Sequence, residues 1–423
     1  MKANRKGFTI TELVIVIVVI AILAAVLIPT FASLIKKANI SADTQMAKNL
    51  NTALTMYEAS GNKVDDFSEA LDAMREAGYL LANMNPTADG CYLAWEKETN
   101  QVLLVELSDN SHKVLYHAKE NYGEPDDSWY FAVKDQATAD AIKAVLANVN
   151  TELTILDTTA LNTEINGDGE KTVYIDGSIN ADDNNVVKLD NANANTTIDL
   201  GNSVVSGGST NASLEAIPFQ VEAGTLNLVG GTVSASAAFI DSDGDLCYGA
   251  VWAEGGVVNV DSTTFDCPDG EILLAYCGAT GAVNNATINT HASAINVGSN
   301  SVVTVENCTI NVFCEAIWVS SSGGYNDTKV TVKSGTYSGT GNTLAMHGGT
   351  LVIEGGTFTS TNPNLFRFYA ADSTLVIKGG TFNGKTFDAN TDPAVIKGMF
   401  STGTTNYSNL SIVWANDAWT ITN

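Results

Sequence analysis

Positive charge is scarce in this chain. Its 423 residues hold 21 Lys and Arg against 47 Asp and Glu, a formal net charge of −26. Nucleic acid needs a basic face to neutralise its phosphates, so it is excluded as the main partner. The deficit is uneven. Residues 1–149 carry 19 acids and 13 bases, whereas residues 150–423 carry 28 acids and 8 bases, with Arg367 the sole arginine of that stretch. An acidic, Asn/Thr/Gly-rich second part reads as a solvated outer surface. Cysteine is limited to Cys91, Cys247, Cys267, Cys277, Cys308 and Cys314, with no C-x-x-C pair, which removes the zinc and dithiol redox motifs. These thiols either stack inside the fold as small apolar groups or form one bridge among Cys247, Cys267 and Cys277; spacing does not set the pairing. Of four histidines, His291 and His347 stand apart from other ligand types and read as surface or corner residues. The length suits two or three domains.

One long apolar run is present. MKANRKG brings three positive charges, FTITE follows, and Leu13 to Ile28 are sixteen consecutive apolar residues. With Pro29, Thr30 and Ser33 as interruptions, positions 13–35 give 23 residues, enough for a ~30 Å hydrocarbon core at ~1.5 Å per residue. Lys2, Arg5 and Lys6 favour a cytoplasmic N-terminus. A secretory signal fits poorly, because the run is long and no small-x-small site closes it. A plain anchor leaves Glu12 unexplained, since a carboxylate beside a membrane span is costly.

The stretch KGFTITELVIVIVVIAILAAVLIP resembles the N-terminus of type IV prepilins and pseudopilins. The resemblance covers about residues 1–60. It implies a leader of residues 1–7, cut by a prepilin peptidase between Gly7 and Phe8, and N-methylation of Phe8. It further implies an assembly role for Glu12 and a helix kink at Pro29. The physics of Glu12 agrees: its carboxylate can meet the new ammonium of a neighbouring subunit inside an apolar helix bundle, where such a pair sets register.

Beyond Pro29 the helix continues. Ile35, Met46, Leu50, Ala53, Leu54 and Tyr57 form an amphipathic stripe, and Ser60-Gly61-Asn62 is a stop signal. A helix from Phe8 to about Ala59 would be ~78 Å long. Its first half would pack among other subunits and its second half on its own head. Residues 61–134 read as a small pilin-like head. Asp66-Phe67-Ser68-Glu69 is a capping box opening a short helix that ends near Gly78. Strands follow at Cys91–Trp95, Gln101–Val105 and Lys113–Tyr116. DQATADAIKAVLANV, residues 135–149, is an amphipathic helix expected to cap what comes next.

The rest, 135–423, is a repeat array. TLVIEGGTF at 350–358 returns as TLVIKGGTF at 374–382, with looser copies such as TLNLVGGTV at 225–233 and VVNVDSTTF at 257–265. Taking the Thr before the last apolar residue as anchor gives Thr232, Thr264, Thr287, Thr309, Thr336, Thr357 and Thr381, spaced by 32, 23, 22, 27, 21 and 24. TVYIDGSI at 172–179 and TIDLGNSVV at 197–205 fit as degenerate turns, for about nine in all. Each copy is a short alternating β run, a Gly/Asn/Ser corner and another β residue. One turn of this length holds three short strands and three corners. The pattern predicts a parallel β-helix, roughly 43 Å long at ~4.8 Å per turn. Its corners resemble those of secreted, right-handed pectate-lyase-like β-helices. The fold class is thus α+β: a long helix with a small β head, then a solenoid. NLSIVWANDAWTIT, with Trp414 and Trp419, should close the open end.

Fold does not decide chemistry. Lyases of this shape pair an Arg or Lys base with Ca²⁺-binding carboxylates, and Arg367 has no Asp pair near it in sequence. Asp182-Asp183 are neighbours on a strand, hence on opposite faces, which suits glycoside hydrolysis poorly. The reading is therefore not an enzyme. Asp241, Asp243 and Asp245 are the candidate metal ligands, for Ca²⁺ if any cofactor is held. Trp318, Tyr325 and Tyr369 are candidate ligand-binding aromatics that can stack on sugars.

Together these readings give a type IV pilin-like filament subunit, minor or tip, displaying a β-helix for surface adhesion. Its expected partners are prepilin peptidase, other pilin subunits, the membrane before assembly, and a glycan or protein surface. Its expected place is the cytoplasmic membrane as precursor, then the cell surface in a filament. The alternatives are a pseudopilin of a type II-like secretion system and a membrane-tethered, glycan-active β-helix enzyme.

Overall fold

A computed structural model gives the fold. It describes all residues except 1–9, 80–85, 109–110, 156–157, 176, 183–185, 209–216, 236–238, 241–245, 248, 269–270, 322–326, 363, 371, 401–409 and 423. The chain divides into two compact units, Met1–Thr151 and Glu152–Asn423.

In the first unit, helix α1 runs from Ile10 to Ala59 with no glycine to interrupt it. It stops where Gly61 takes the left-handed conformation, φ +94. Its apolar first half is exposed, and its second half buries Asp43, Ala47, Leu50, Ala53 and Leu54 at helical spacing. Of the stripe expected from sequence, Leu50, Ala53 and Leu54 are buried, whereas Ile35 is exposed and belongs to the apolar half. Helix α2 (Phe67–Glu76) opens on the expected capping box: Glu69 N donates to Asp66 Oδ1 at 3.0 Å, and Glu69 Oε2 accepts from Asp66 N at 3.3 Å.

Four antiparallel strands complete the head: β1 (Cys91–Glu96), β2 (Gln101–Ser108), β3 (Ser111–Tyr116) and β4 (Trp129–Val133), in the order β3-β2-β1-β4. Asn51 ties α1 to this sheet through both backbone groups of Val102. Its Nδ2 donates to the carbonyl at 2.8 Å and its Oδ1 accepts the amide at 2.9 Å. The buried Asp43 carboxylate accepts from Thr87 N, Thr87 Oγ1 and Ala88 N at 2.8 to 3.0 Å, so its charge is met by three donors. Phe67 stacks on Tyr130 at 5.5 Å and 14°. Helix α3 (Gln136–Val145) packs on β2 and β4, with Ala139 and Ile142 buried. It is thus part of the head and not the solenoid cap expected from sequence.

The second unit is a parallel β-helix of about nine turns among the described residues. Three parallel sheets wrap one core. The first contains Thr225–Val229, Val257–Asp261, Thr280–Asn284 and the strands that follow them turn by turn to Ser373–Ile377. The second carries the anchor threonines, and all seven stand in register in one ladder from Thr232 to Thr381. The third runs from Val187–Leu189 to Phe366–Phe368.

Alternation buries every second residue. Leu228, Val260, Val283, Val305, Val332, Ile353 and Ile377 form one inward column. Next to the threonine ladder, inward Tyr337, Phe358 and Phe382 stack at 4.7 and 5.1 Å. The corner between the first two sheets needs left-handed backbone. Ser262, Asn285 and Asn307 supply it at φ 52 to 56, and Gly335, Gly356 and Gly380 supply it in later turns. Asn307 Nδ2 donates to Asn285 Oδ1 at 2.8 Å, linking successive corners.

Both ends are covered. Helix α4 (Thr158–Ile165) lays Leu161 and Ile165 into the first turns, the capping role expected of α3. At the other end Ser411–Ala415 and Ala418–Thr422 form a hairpin through left-handed Asn416 and Asp417. Its second strand pairs antiparallel with Ser373–Ile377 and buries Trp419, as the closing segment was expected to do.

Candidate functional site

Two regions carry the residues singled out in the sequence. The first is the exposed half of α1. Among the described residues this is the one helix long and apolar enough to cross a membrane, and none of its apolar window is buried. Glu12 stands in its first turn, where a carboxylate complements the helix dipole. Pro29 lies inside α1, and the Thr30 hydroxyl donates to the Val26 carbonyl at 2.9 Å beside it. Gly7 and Phe8 lie outside the described residues.

The second region is the outer face of the third solenoid sheet. Trp318 projects from Ile317–Ser320, between Ile317 and Val319, which point into the core. Tyr369 follows Phe366–Phe368, and its amide donates to the Met346 carbonyl at 2.7 Å. The two rings meet with centroids 5.1 Å apart, tilted by 32°. The turn between them contributes Ala345, the register partner of both Trp318 and Arg367. The Arg367 guanidinium lies 4.1 Å from the Tyr369 ring centroid, a cation–π contact.

Glu315 lies at the corner leading into the Trp318 strand, and its carboxylate accepts from Ser293 Oγ at 3.0 Å. Burial pushes the Glu315 acid above its usual range, partly offset by the Ser293 hydrogen bond and by Arg367. Burial also raises the Tyr369 phenol. The patch offers two flat rings and one cation in a fixed array, which suits stacking on a ligand. Tyr325, Asp241, Asp243 and Asp245 lie outside the described residues. Among the described residues no group of three His, Cys, Asp or Glu is arranged to hold a metal.

Sequence reasoning picked Trp318 and Tyr369 separately and did not pair them. The 27- and 21-residue steps between the anchors Thr309, Thr336 and Thr357 hide their alignment until the register is known. Arg367 was visible as the sole arginine of its stretch, whereas Glu315 had no signal. Cys91, Cys267 and Cys308 are buried thiols, Cys277 is an exposed one, and Cys314 is partly covered. The side chain of Cys247 lies outside the description.

An exposed apolar helix that passes into the core of a small α+β head defines a pilin-like subunit. The prokaryotic N-terminal methylation motif matches residues 2–28. The fimbrial protein of Moraxella nonliquefaciens is 33% identical over 108 residues, 23% of this chain and 70% of that protein. The type IV wide pilus major component PilA4 of Thermus thermophilus is 46% identical over 71 residues, 16% of this chain and 52% of that protein. The type II secretion system core protein G of Aeromonas hydrophila is 28% identical over 92 residues, 22% of this chain and 64% of that protein. The chain thus spans about half the length of the Thermus relative. No solved structure matches it. The chain belongs to the type IV pilin family, and its α1 and methylation motif fit a membrane-anchored precursor.

Proposed function

We propose that this chain is a minor or tip subunit of a type IV pilin-like filament and displays its β-helix for adhesion, without catalysis. The observation that carries this reading is the joining of a pilin helix and head to a solenoid unit, Glu152–Asn423, larger than both together. A subunit with so much mass outside the helix bundle suits a sparse or terminal place better than a densely repeated one. Cleavage falls between Gly7 and Phe8, Phe8 is methylated, and Glu12 pairs with the ammonium of a neighbouring Phe8 during docking. Trp318 and Tyr369 are the adhesive contacts on the solenoid, and a glycan or protein surface is their ligand.

The test replaces Glu12. In cells, Glu12→Gln is cut normally and reaches the membrane, but its recovery in sheared filaments falls by roughly tenfold or more, as loss of a buried charge partner predicts. Wild-type recovery from that variant contradicts the assembly role. The likeness to a type II secretion core protein supports a second reading, a pseudopilin that builds a short periplasmic piston. Imaging separates the two: surface filaments carrying the solenoid favour the first, and envelope-confined protein favours the second.

A further inference from the structure

The second solenoid sheet carries a feature that neither the helix nor the Trp318 patch accounts for. Next to the threonine ladder runs a second outward row, in which Asp266, Asn289, Asn311 and Ser338 stand in register on four successive turns. They are hydrogen-bonded along the axis: Ser338 Oγ to Asn311 Oδ1, and Asn311 Nδ2 to Asn289 Oδ1 at 3.0 Å. The row forms one side of a groove enclosing about 620 Å³. Phe313 lines the groove too, with 60% of its surface exposed. Its backbone is fixed on both sides. Phe313 N donates to the Thr290 carbonyl at 3.1 Å, and its carbonyl accepts from Gly341 N at 3.1 Å and Thr340 Oγ1 at 2.9 Å. His291 meets the Phe313 ring edge-on at 6.4 Å and 85°.

We infer that this groove binds an uncharged glycan chain lying along the solenoid axis. The inference rests on the adhesion reading above and adds a second contact, distinct from the Trp318 patch. Three observations carry it. An exposed, backbone-fixed Phe offers an apolar face on which one face of a sugar ring stacks. A primary amide has four hydrogen-bonding positions, and the axial ladder uses two of those on Asn311, which leaves two for sugar hydroxyls. The groove is lined by one carboxylate, Asp266, and by no Lys or Arg among the described residues, in a unit that is strongly acidic. A polyanionic chain would meet repulsion without a cation to offset it. The turn repeat of ~4.8 Å is close to the advance of one sugar ring, so a ladder over four turns matches a short run of sugars. A volume within roughly 300–1,000 Å³ is the range of ligand clefts.

The test uses the full chain in detergent micelles, titrated with cellohexaose, chitohexaose, maltohexaose, mannohexaose and hexagalacturonate. At least one uncharged hexasaccharide binds, and hexagalacturonate binds at least roughly tenfold more weakly. Phe313→Ala weakens the best ligand by roughly tenfold and Asn311→Ala by a smaller factor, whereas Phe313→Trp retains it. No binding of any uncharged hexasaccharide, preference for hexagalacturonate, or wild-type affinity in Phe313→Ala overturns the inference. The adhesion reading is scored separately by cell attachment. Cells that still attach while every hexasaccharide fails overturn the groove alone, whereas loss of attachment specificity in cells carrying the wild-type chain overturns the adhesion reading.

Discussion

Trp318 and Tyr369 touch across an intervening turn of the solenoid, with ring centroids 5.1 Å apart, and Ala345 is the register partner of Trp318 on that turn. Arg367 lies over the second ring at 4.1 Å. Trp318→Ala and Tyr369→Ala are therefore expected to lower attachment of the cells, each to an extent set by one aromatic contact, about 0.5–1.5 kcal/mol. Circular dichroism should show the β-helix intact in both. Unchanged attachment in the two variants would remove this patch from the adhesive surface.

The corner between the first two sheets sets a backbone demand. Gly335 has φ +126, and a Cβ there would lie 2.5 Å from the Cys308 carbonyl oxygen and 2.9 Å from Tyr337 Oη. Gly335→Ala should destabilise the solenoid by more than ~1 kcal/mol, since it adds both a strained φ and a backbone clash. Asn307→Gly, at a left-handed corner one turn earlier, should lose much less. Equal thermal midpoints for Gly335→Ala and wild type would show that the corner does not constrain the chain.

Much of this architecture was legible in the sequence. Apolar length and Glu12 announced α1, Asp66 and Glu69 spelled out a capping box, and the anchor threonines carried the register of a whole sheet. Local signals of this kind are set by neighbours within one turn. What stayed hidden depends on loops of unequal length. Spacings from 21 to 32 residues conceal which outward residues of the third sheet align, so Trp318 and Tyr369 looked unrelated. The α3 helix has an apolar face that suits either a sheet or a solenoid end, and periodicity cannot say which. The α4 helix is one short stretch, and its Leu161 and Ile165 gave too few repeats to stand out. Phe313 reads as one more apolar residue until its side chain is found outside.

Thiol reactivity separates the cysteines. Burial raises Cys267 to about 12 and Cys308 and Cys91 to about 11, whereas Cys277 is exposed and raised first by partial burial and then by Glu254. Alkylation under native conditions at mildly alkaline pH should label Cys277 first, with Cys267, Cys308 and Cys91 labelled only after unfolding. Mass spectrometry of tryptic peptides reads this directly. Rapid native labelling of Cys267 or Cys308 would contradict the packing of the solenoid core.

Glu315 should give the solenoid a pH dependence. Its acid is raised by burial, so the folded chain holds that proton more tightly than the unfolded chain. The resulting stability is present below the unfolded value, near 4.5, and is lost as pH rises through the raised folded value. Glu315→Gln should remove this part of the pH dependence and raise the thermal midpoint at neutral pH relative to wild type. A midpoint that falls at neutral pH in the variant would show that the ionised carboxylate, through Ser293 and Arg367, is the favoured form.

The central claim is that the first helix enters a filament as a processed pilin segment. Intact mass and N-terminal sequencing of the protein, from cells with and without a prepilin peptidase, test it most directly. A chain beginning at N-methylated Phe8 in the first cells, and at Met1 in the second, is the predicted result. An uncut Met1 start in both would contradict the account and leave a β-helix held to the membrane by a plain anchor.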